Sequence, residues 1–403
     1  MTAPTHEGAR TRVAVLYEDV RSRLTGNLGS LPVLLGLVLI WVVFQALNPT
    51  FLSADNLVNL TLQCAAVGTI AIGVVLVLLL GQIDLSVGSV SGLAAAVLGV
   101  GLTQLGWPLL VAILVALLSG AGIGLLYGVL FTRFGVPSFI ITLAGLLGVL
   151  GLQLRVLGPT GSINLPPDSP IVLFATNWFL PPWLAYLLAA LWAGGMFTSA
   201  VLRQGRRKRA GLTTTHLGWQ AAKAGVLLVL CAIAVSYLAT NRGVGIMFVF
   251  FILLVIAMDV VLTRTRWGRE VYAVGGSVEA ARRAGIRVNR VYVSVFVLCS
   301  TFAVLGGLLA AGRQMSVNLS SGAGDTNLNA IAAAVIGGTS LFGGRGSAWS
   351  ALLGIAVIQS ISNGLTLLNL DSSIRYMITG GVLLLAVIID SLSRRSRAAH
   401  GQA

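Results

Sequence analysis

Charge is scarce in this chain: of its 403 residues only 9% are Asp, Glu, Lys or Arg, against about 25% in an ordinary soluble domain. That shortage excludes a water-soluble globular enzyme. Histidine is scarcer still, and His6, His216 and His400 all fall in polar stretches. No apolar run therefore carries an imidazole for a proton relay or for hydrolysis within a membrane. The three cysteines, Cys64, Cys231 and Cys299, sit singly inside apolar runs with no paired spacing, which speaks against a disulfide framework or a metal-ligand set. No GxxxxGK[ST] loop is present, so no nucleotide-hydrolysing site of the chain's own is expected. The first thirty residues contain Glu7, Glu18 and Asp19; they do not fit a cleaved signal peptide, and the first apolar run is expected to be retained as a span.

What fills the chain instead is apolar sequence, 56% hydrophobic residues with a mean hydropathy of +0.93. Apolar runs occur at about 31–47, 57–80, 87–103, 107–130, 137–154, 183–202, 224–240, 246–263, 291–312, 330–344, 349–369 and 375–390. They are too continuous for the alternating strands of a barrel. An all-α, polytopic helical membrane protein with about twelve apolar segments is therefore expected, ten to twelve of them true spans. Runs 87–103 and 330–344 are the candidates for broken or re-entrant elements.

The net charge of +14, from 26 Lys+Arg against 12 Asp+Glu, raises the question of nucleic acid until its placement is examined. With a cytoplasmic N-terminus and alternating sides, 22 basic residues fall inside and 4 outside, the latter being Arg155, Arg242, Arg313 and Arg375. This asymmetry fits the positive-inside rule, cytoplasmic termini and contact with anionic lipid, and it removes the nucleic-acid reading. The expected organisation is a cytoplasmic segment 1–30, a membrane domain 31–390 and a cytoplasmic tail 391–403. Within the domain lie a Pro-rich external segment 158–182, a basic cytoplasmic insert 203–223 and a cytoplasmic loop 264–290.

Glycine is abundant, at 49 residues, and Gly120, Gly124 and Gly128 share one helix face at GxxxG spacing. Close packing within one subunit is the favoured reading, over a dimer interface. Three polar motifs interrupt the runs. In Gly81-Gln82-Ile83-Asp84-Leu85-Ser86-Val87-Gly88-Ser89, glycine marks a helix end, and Asp84 or Ser86 is suited to cap the next helix. In Gly135-Val136-Pro137-Ser138, Pro137 suits a first helical turn, with Thr142 deeper in the run. In AVGGSVEAARRAGIRVNR, from Ala273 to Arg290, Gly275 and Gly276 break the chain and Ser277 caps about two turns of helix stopped at Gly285. Glu279 and Arg283 stand i,i+4, while Ala280, Ala281 and Ala284 leave a small-residue surface on which a partner can settle.

That last loop resembles the cytoplasmic coupling loop of permease subunits of monosaccharide importers of the ATP-binding cassette (ABC) class, the group of ribose, galactose and xylose permeases. GQIDLSVGS at 81–89, GVPSFIITLAG at 135–145, LNAIAAAVIGGTSLFGGRGS at 328–347 and SNGLTLLNLDSS at 362–373 are similar to the same family, in the same order. The resemblance implies a pair of permease subunits, a cytoplasmic ATPase on a separate chain that binds ATP and Mg, and an external sugar-binding protein. It implies no cofactor on this chain and docking of the ATPase on a segment with Gly275, Gly276, Glu279, Ala280, Ala281, Arg282, Arg283, Gly285 and Ile286. The additional material around 158–223 is more like the longer xylose-type members, which favours a pentose. Asn329 stands where an acidic residue is expected in the LDAIAA pattern.

Sugar passage needs hydrogen-bonding groups away from lipid, and the candidates are Asn59, Gln63, Thr142, Gln153, Gln314, Asn318, Asn327 and Asn363. Each can equally serve a structural interhelical bond. Gly81, Asp84, Ser86, Gly337, Gly338, Gly343 and Gly344 are candidates for a gate or helix break, because broken backbone at membrane depth is tolerated only inside protein or beside a cavity. Two other classes compete. An ion-coupled secondary transporter needs ionisable groups inside the bundle, where only Asp84 and Asp259 approach that role. An intramembrane hydrolase needs a nucleophile with a base, and the spans hold neither His nor Lys.

Overall fold

The computed structural model describes residues 31–211 and 217–371, and beyond these residues 373, 374, 376–381, 384 and 388. The N-terminal segment 1–30, residues 212–216 of the basic insert, half of the run 375–390 and the tail 391–403 lie outside the described residues. In chain order the helices are α1 (Leu31–Leu47), α2 (Ala54–Leu79), α3 (Val87–Thr103), α4 (Leu109–Phe134) and α5 (Ser138–Leu157). The short strand β1 (Ser162–Asn164) and helix α6 (Pro170–Thr176) follow. Next come α7 (Pro182–Arg209), α8 (Leu217–Ala239), α9 (Ile246–Arg264), α10 (Arg266–Gly276), α11 (Val278–Arg283) and α12 (Val288–Gln314). Strand β2 (Ser316–Asn318), α13 (Thr326–Ile336) and α14 (Ala348–Leu367) complete the named elements.

Eight helices among the described residues are long and apolar enough to cross a membrane, namely α2, α4, α5, α7, α8, α9, α12 and α14. Helices α1, α3 and α13 are apolar but shorter. At 1.5 Å per residue, the 11 residues of α13 reach about 16 Å, half the hydrocarbon thickness. Glycine stops α13 well before the end of its apolar run. Helix α3 reaches about 25 Å, and the non-helical chain 81–86 precedes it.

Helix α2 is the axis of the bundle: 89% of its most apolar window is buried inside the protein, against 6% for α8. It packs on α12, α14, α13 and α9, while α12 also packs on α4 and α3. Close approach of α4 and α12 explains the GxxxG face. A Cβ on Gly124 would stand 2.5 Å from the Phe296 carbonyl oxygen, and one on Gly128 would stand 2.7 Å from Val293 Cα. The face packs inside the subunit. Helices α7 and α8 pair at the periphery, and large apolar side chains such as Leu191 and Ile233 are exposed there. Apolar surface of that extent needs lipid to cover it.

The all-helical expectation requires one addition. Strands β1 and β2 pair antiparallel, with Ser162 opposite Asn318 and Asn164 opposite Ser316. The Pro-rich segment cannot prolong α5 past Gly158, whose φ is +69°. It folds back onto the chain that leaves α12 and then forms α6, with Pro170 in the first turn. Pro137 occupies the N-cap of α5 rather than its first turn.

Candidate functional site: a polar cavity and a glycine junction

Helix α2 ends by sequence-coded geometry. Gly81 adopts φ +68°; its N–H donates to Leu78 O at 2.8 Å and the Gln82 N–H donates to Val77 O at 3.1 Å. This is the paired-bond helix ending that favours glycine in the left-handed region. Beyond it, residues 83–85 run as non-helical chain against α5. The Leu85 N–H donates to Thr142 Oγ1 at 3.1 Å, the Ile83 N–H donates to Ser138 Oγ at 3.5 Å, and the Asn327 amide donates to Leu85 O. Asp84 is 2% exposed and accepts from the Ser86 N–H at 2.8 Å and the Ser86 hydroxyl at 2.7 Å, with Cys299 Sγ 3.7 Å away. Ser86 is the N-cap residue of α3, but its hydroxyl is turned to Asp84 and makes no side-chain cap bond.

Three glycine motifs far apart in the chain meet beside this break. The Gly344 N–H donates to Leu79 O at 2.8 Å. A Cβ on Gly343 would lie 2.9 Å from both Gly275 O and Gly81 N, and a Cβ on Gly275 would lie 2.9 Å from Gly344 N. Gly343 and Gly344 themselves adopt φ +86° and +73°. Only glycine permits backbones to touch in this way. The loop after α13 is therefore wedged between the end of α2 and the end of α10. Gly337 abuts the Ser350 backbone of α14, and Gly338 takes φ +103° where α13 turns into that loop.

The junction continues outward into the α10–α11 segment. Thr265 caps α10 by accepting from the Gly268 N–H at 3.1 Å, and Trp267 donates to Ser294 Oγ on α12 at 2.8 Å. Tyr272 donates to Gly346 O at 2.9 Å, tying α10 to the wedged loop. Burial, with Asp259 nearby as a smaller cause, raises the Tyr272 phenol above its ordinary value of 10.0. Ser277 caps α11 by accepting from the Ala280 N–H at 3.3 Å, and Gly285 closes the turn at φ +79°. Ala281 is buried, whereas Glu279, Ala280, Arg282, Arg283 and Gly285 are exposed and Ile286 is half-buried. Among the described residues Glu279 and Arg283 form no ion pair, so neither charge is spent within the helix.

Midway along α2, against Gln63 to Ile70, lies a polar cavity of roughly 280 Å3, just below the range of ligand sites, about 300–1,000 Å3. Of the candidate pathway residues, Gln63, Gln314 and Asn363 line it. The others are used elsewhere. Asn59 accepts from Arg242 at 2.8 Å; Thr142 and Asn327 hold the break; Gln153 donates to Ser321 O at 2.9 Å; and Asn318 accepts from the Ser320 N–H at 2.9 Å. Asn363 is committed in part to a reciprocal amide pair with Asn56, at 2.8 and 2.9 Å. Residues that the pathway list missed also line the cavity, among them Ser91, Arg313, Asp325, Asn329 and Gln359. Gln359 was within reach of helical periodicity, standing one turn before Asn363 on the same face of α14.

Residues 56–387 match the family described as "Branched-chain amino acid transport system / permease component", and the chain belongs to this family of transport permeases. Its relatives narrow the class. The chain is 36% identical over 349 residues to the xylose transport system permease protein XylH of Escherichia coli (strain K12), a match covering 86% of this chain and 87% of that one. It is 31% identical over 370 residues to the XylH protein of Haemophilus influenzae, covering 92% and 98%. It is 30% identical over 373 residues to the ribose import permease protein RbsC of Bacillus subtilis, covering 93% and 96%. The chain is thus a permease subunit of the monosaccharide ABC importer group, on its xylose-type side, and a transport component rather than an enzyme. No solved structure matches it.

Proposed function

We propose that this chain is the translocating subunit of an ATP-driven importer that carries a monosaccharide across the inner membrane, a pentose such as xylose first and ribose or a hexose second. Two copies form the path. A separate cytoplasmic ATPase, holding ATP and Mg, docks on Gly275 to Ile286 of each, and an external sugar-binding protein delivers substrate to the opposite end. The N- and C-termini are cytoplasmic, with most basic residues.

One observation carries the reading: the exposed, capped α11 is tied through touching glycine backbones to the chain break beside α3 and to the loop after α13. A push on α11 has backbone to act on, without flexible side chains between. The sugar class rests on the relatives, XylH and RbsC, since the family's printed description concerns amino acids. The ion-coupled alternative draws less support. Asp84 is bonded to Ser86, and neither Asp84 nor Asp259 lines the polar cavity. The docking assignment is tested by deleting Glu279 to Gly285 in the full chain. The deletion is expected to abolish co-purification with the ATPase while the membrane domain still elutes as a folded species; retained co-purification contradicts the assignment.

A further inference from the structure

We infer that the basic end of the α7–α8 hairpin is a docking site for the head group of an anionic phospholipid, with Arg206, Arg207, Lys208 and Arg209 supplying the charge and Trp219 and Lys223 flanking them. The inference goes beyond the transport reading and does not depend on which solute is carried.

The charge of this hairpin is one-sided. No Asp or Glu occurs between Asp168 and Asp259, and within that interval α7 ends on Arg203, Arg206, Arg207, Lys208 and Arg209. Four consecutive residues turn through most of a helical circle, so residues 206–209 present positive charge on every side of the helix end. All four are exposed, and among the described residues none of them forms an ion pair. Helix geometry also sets their depth. From Trp183 to Leu202 the helix carries no charged residue, a length of about 30 Å that matches the hydrocarbon core. With Trp183, an exposed residue, at one membrane surface, residues 206–209 stand about 6–10 Å past the other, in the headgroup layer.

Helix α8 marks the same level independently. The Tyr186 and Ser236 hydroxyls are hydrogen-bonded at 2.8 Å, and counting equally from that bond along the antiparallel pair puts Trp219 level with Arg203. Trp219 is 56% exposed, and Lys223 Nζ lies 5.3 Å from the centre of its ring. An exposed tryptophan at this level is an interfacial anchor, and the lysine, one turn further into the hydrocarbon, carries its charge back to that level. Charge and surroundings identify the occupant. Large apolar side chains face outward on both helices, Leu191 and Leu202 on α7 and Val226 and Ile233 on α8 among them, so lipid is what meets the basic end; a second copy of the hairpin would bring the same positive charge. A phosphodiester anion joined to acyl chains satisfies both the charge and the apolar flank. A hydrogen bond tying α8 to the bundle, from the Tyr237 hydroxyl to Leu52 O at 2.9 Å, lies at the opposite end of the hairpin, and a head group held at 206–209 fixes the near end.

The test uses the full chain in phosphatidylcholine nanodiscs containing a trace of photoactivatable phosphatidylglycerol, with the labelled peptides identified by mass spectrometry. Labelling is expected on peptides covering 203–211 and 217–223, and unlabelled phosphatidylglycerol is expected to suppress it where added phosphatidylcholine or inorganic phosphate does not. The combined variant Arg206→Gln, Arg207→Gln, Lys208→Gln and Arg209→Gln is expected to lower that labelling about tenfold. Arg206→Lys with Arg207→Lys and Arg209→Lys, which keeps the charge, is expected to retain it. Labelling that the glutamines leave unchanged, that phosphatidylcholine suppresses equally, or that spreads evenly over the other basic segments of the chain overturns the inference. Suppression by inorganic phosphate overturns it in favour of a free anion. The lipid competition on the wild type decides the question if the glutamine variant fails to fold, and because uptake is not the readout, the permease reading stands or falls separately.

Discussion

Tyr272 shows how much of the junction hangs on single polar atoms. Its phenol donates to Gly346 O from a half-buried position, and burial holds the proton on it past the ordinary tyrosine range. Because the folded state retains a proton that the unfolded chain gives up, this group's contribution is complete below about pH 10 and falls as pH rises above that value. The stability difference between the wild type and Tyr272→Phe, measured by thermal unfolding in detergent, is expected to be constant from neutral pH to about pH 9 and to shrink above pH 10. A difference that grows with pH contradicts the bond. Residues of this kind were unevenly legible. Gly81 announces its left-handed turn because few other residues adopt that φ. Asn329 announces nothing about a cavity, since which helix faces an amide is fixed only when α2, α3 and α14 pack on α13. Thr142 and Gln153 were read as pathway candidates on polarity alone, and the partners that absorb them, Leu85 and Ser321, lie far away in sequence.

Among the elements, α13 departs most from a plain span. Its apolar run extends to about residue 344, but Gly337 and Gly338 end the helix and the following loop folds back to Gly81 and Gly275. Gly338 at φ +103° is a position that a β-branched residue cannot adopt without strain. Gly338→Val is therefore expected to abolish ATP-driven uptake at normal expression, read as initial uptake rate per copy in the membrane; wild-type uptake contradicts a role for this loop in the gate. The two glycine pairs made a break here legible from sequence. The place where the break packs was not, because it depends on α10 and α2 arriving at the same point. The Pro-rich segment was legible as non-helical, while its pairing with residues 316–318 had no local signal: three residues of strand are too few for an alternation to register.

For the whole molecule, the few charges carry the most information. The segregation of 22 basic residues from 4 carries the proposed orientation, in which α11 lies on the cytoplasmic, basic side and the β1–β2 ribbon on the other. In that proposed orientation the glycine junction lies between the cavity and the side where ATP is available. The helix positions were legible from apolar runs almost throughout. The number of complete crossings was not, because an apolar run does not by itself separate the short α3 and the half-length α13 from full spans. The measurement that tests the account most directly is labelled-xylose uptake into proteoliposomes holding this chain with its ATPase and its sugar-binding protein. The account predicts uptake that requires ATP and both partners and that persists when H+ and Na+ gradients are collapsed. Uptake by this chain alone, driven by an ion gradient without ATP, would contradict it.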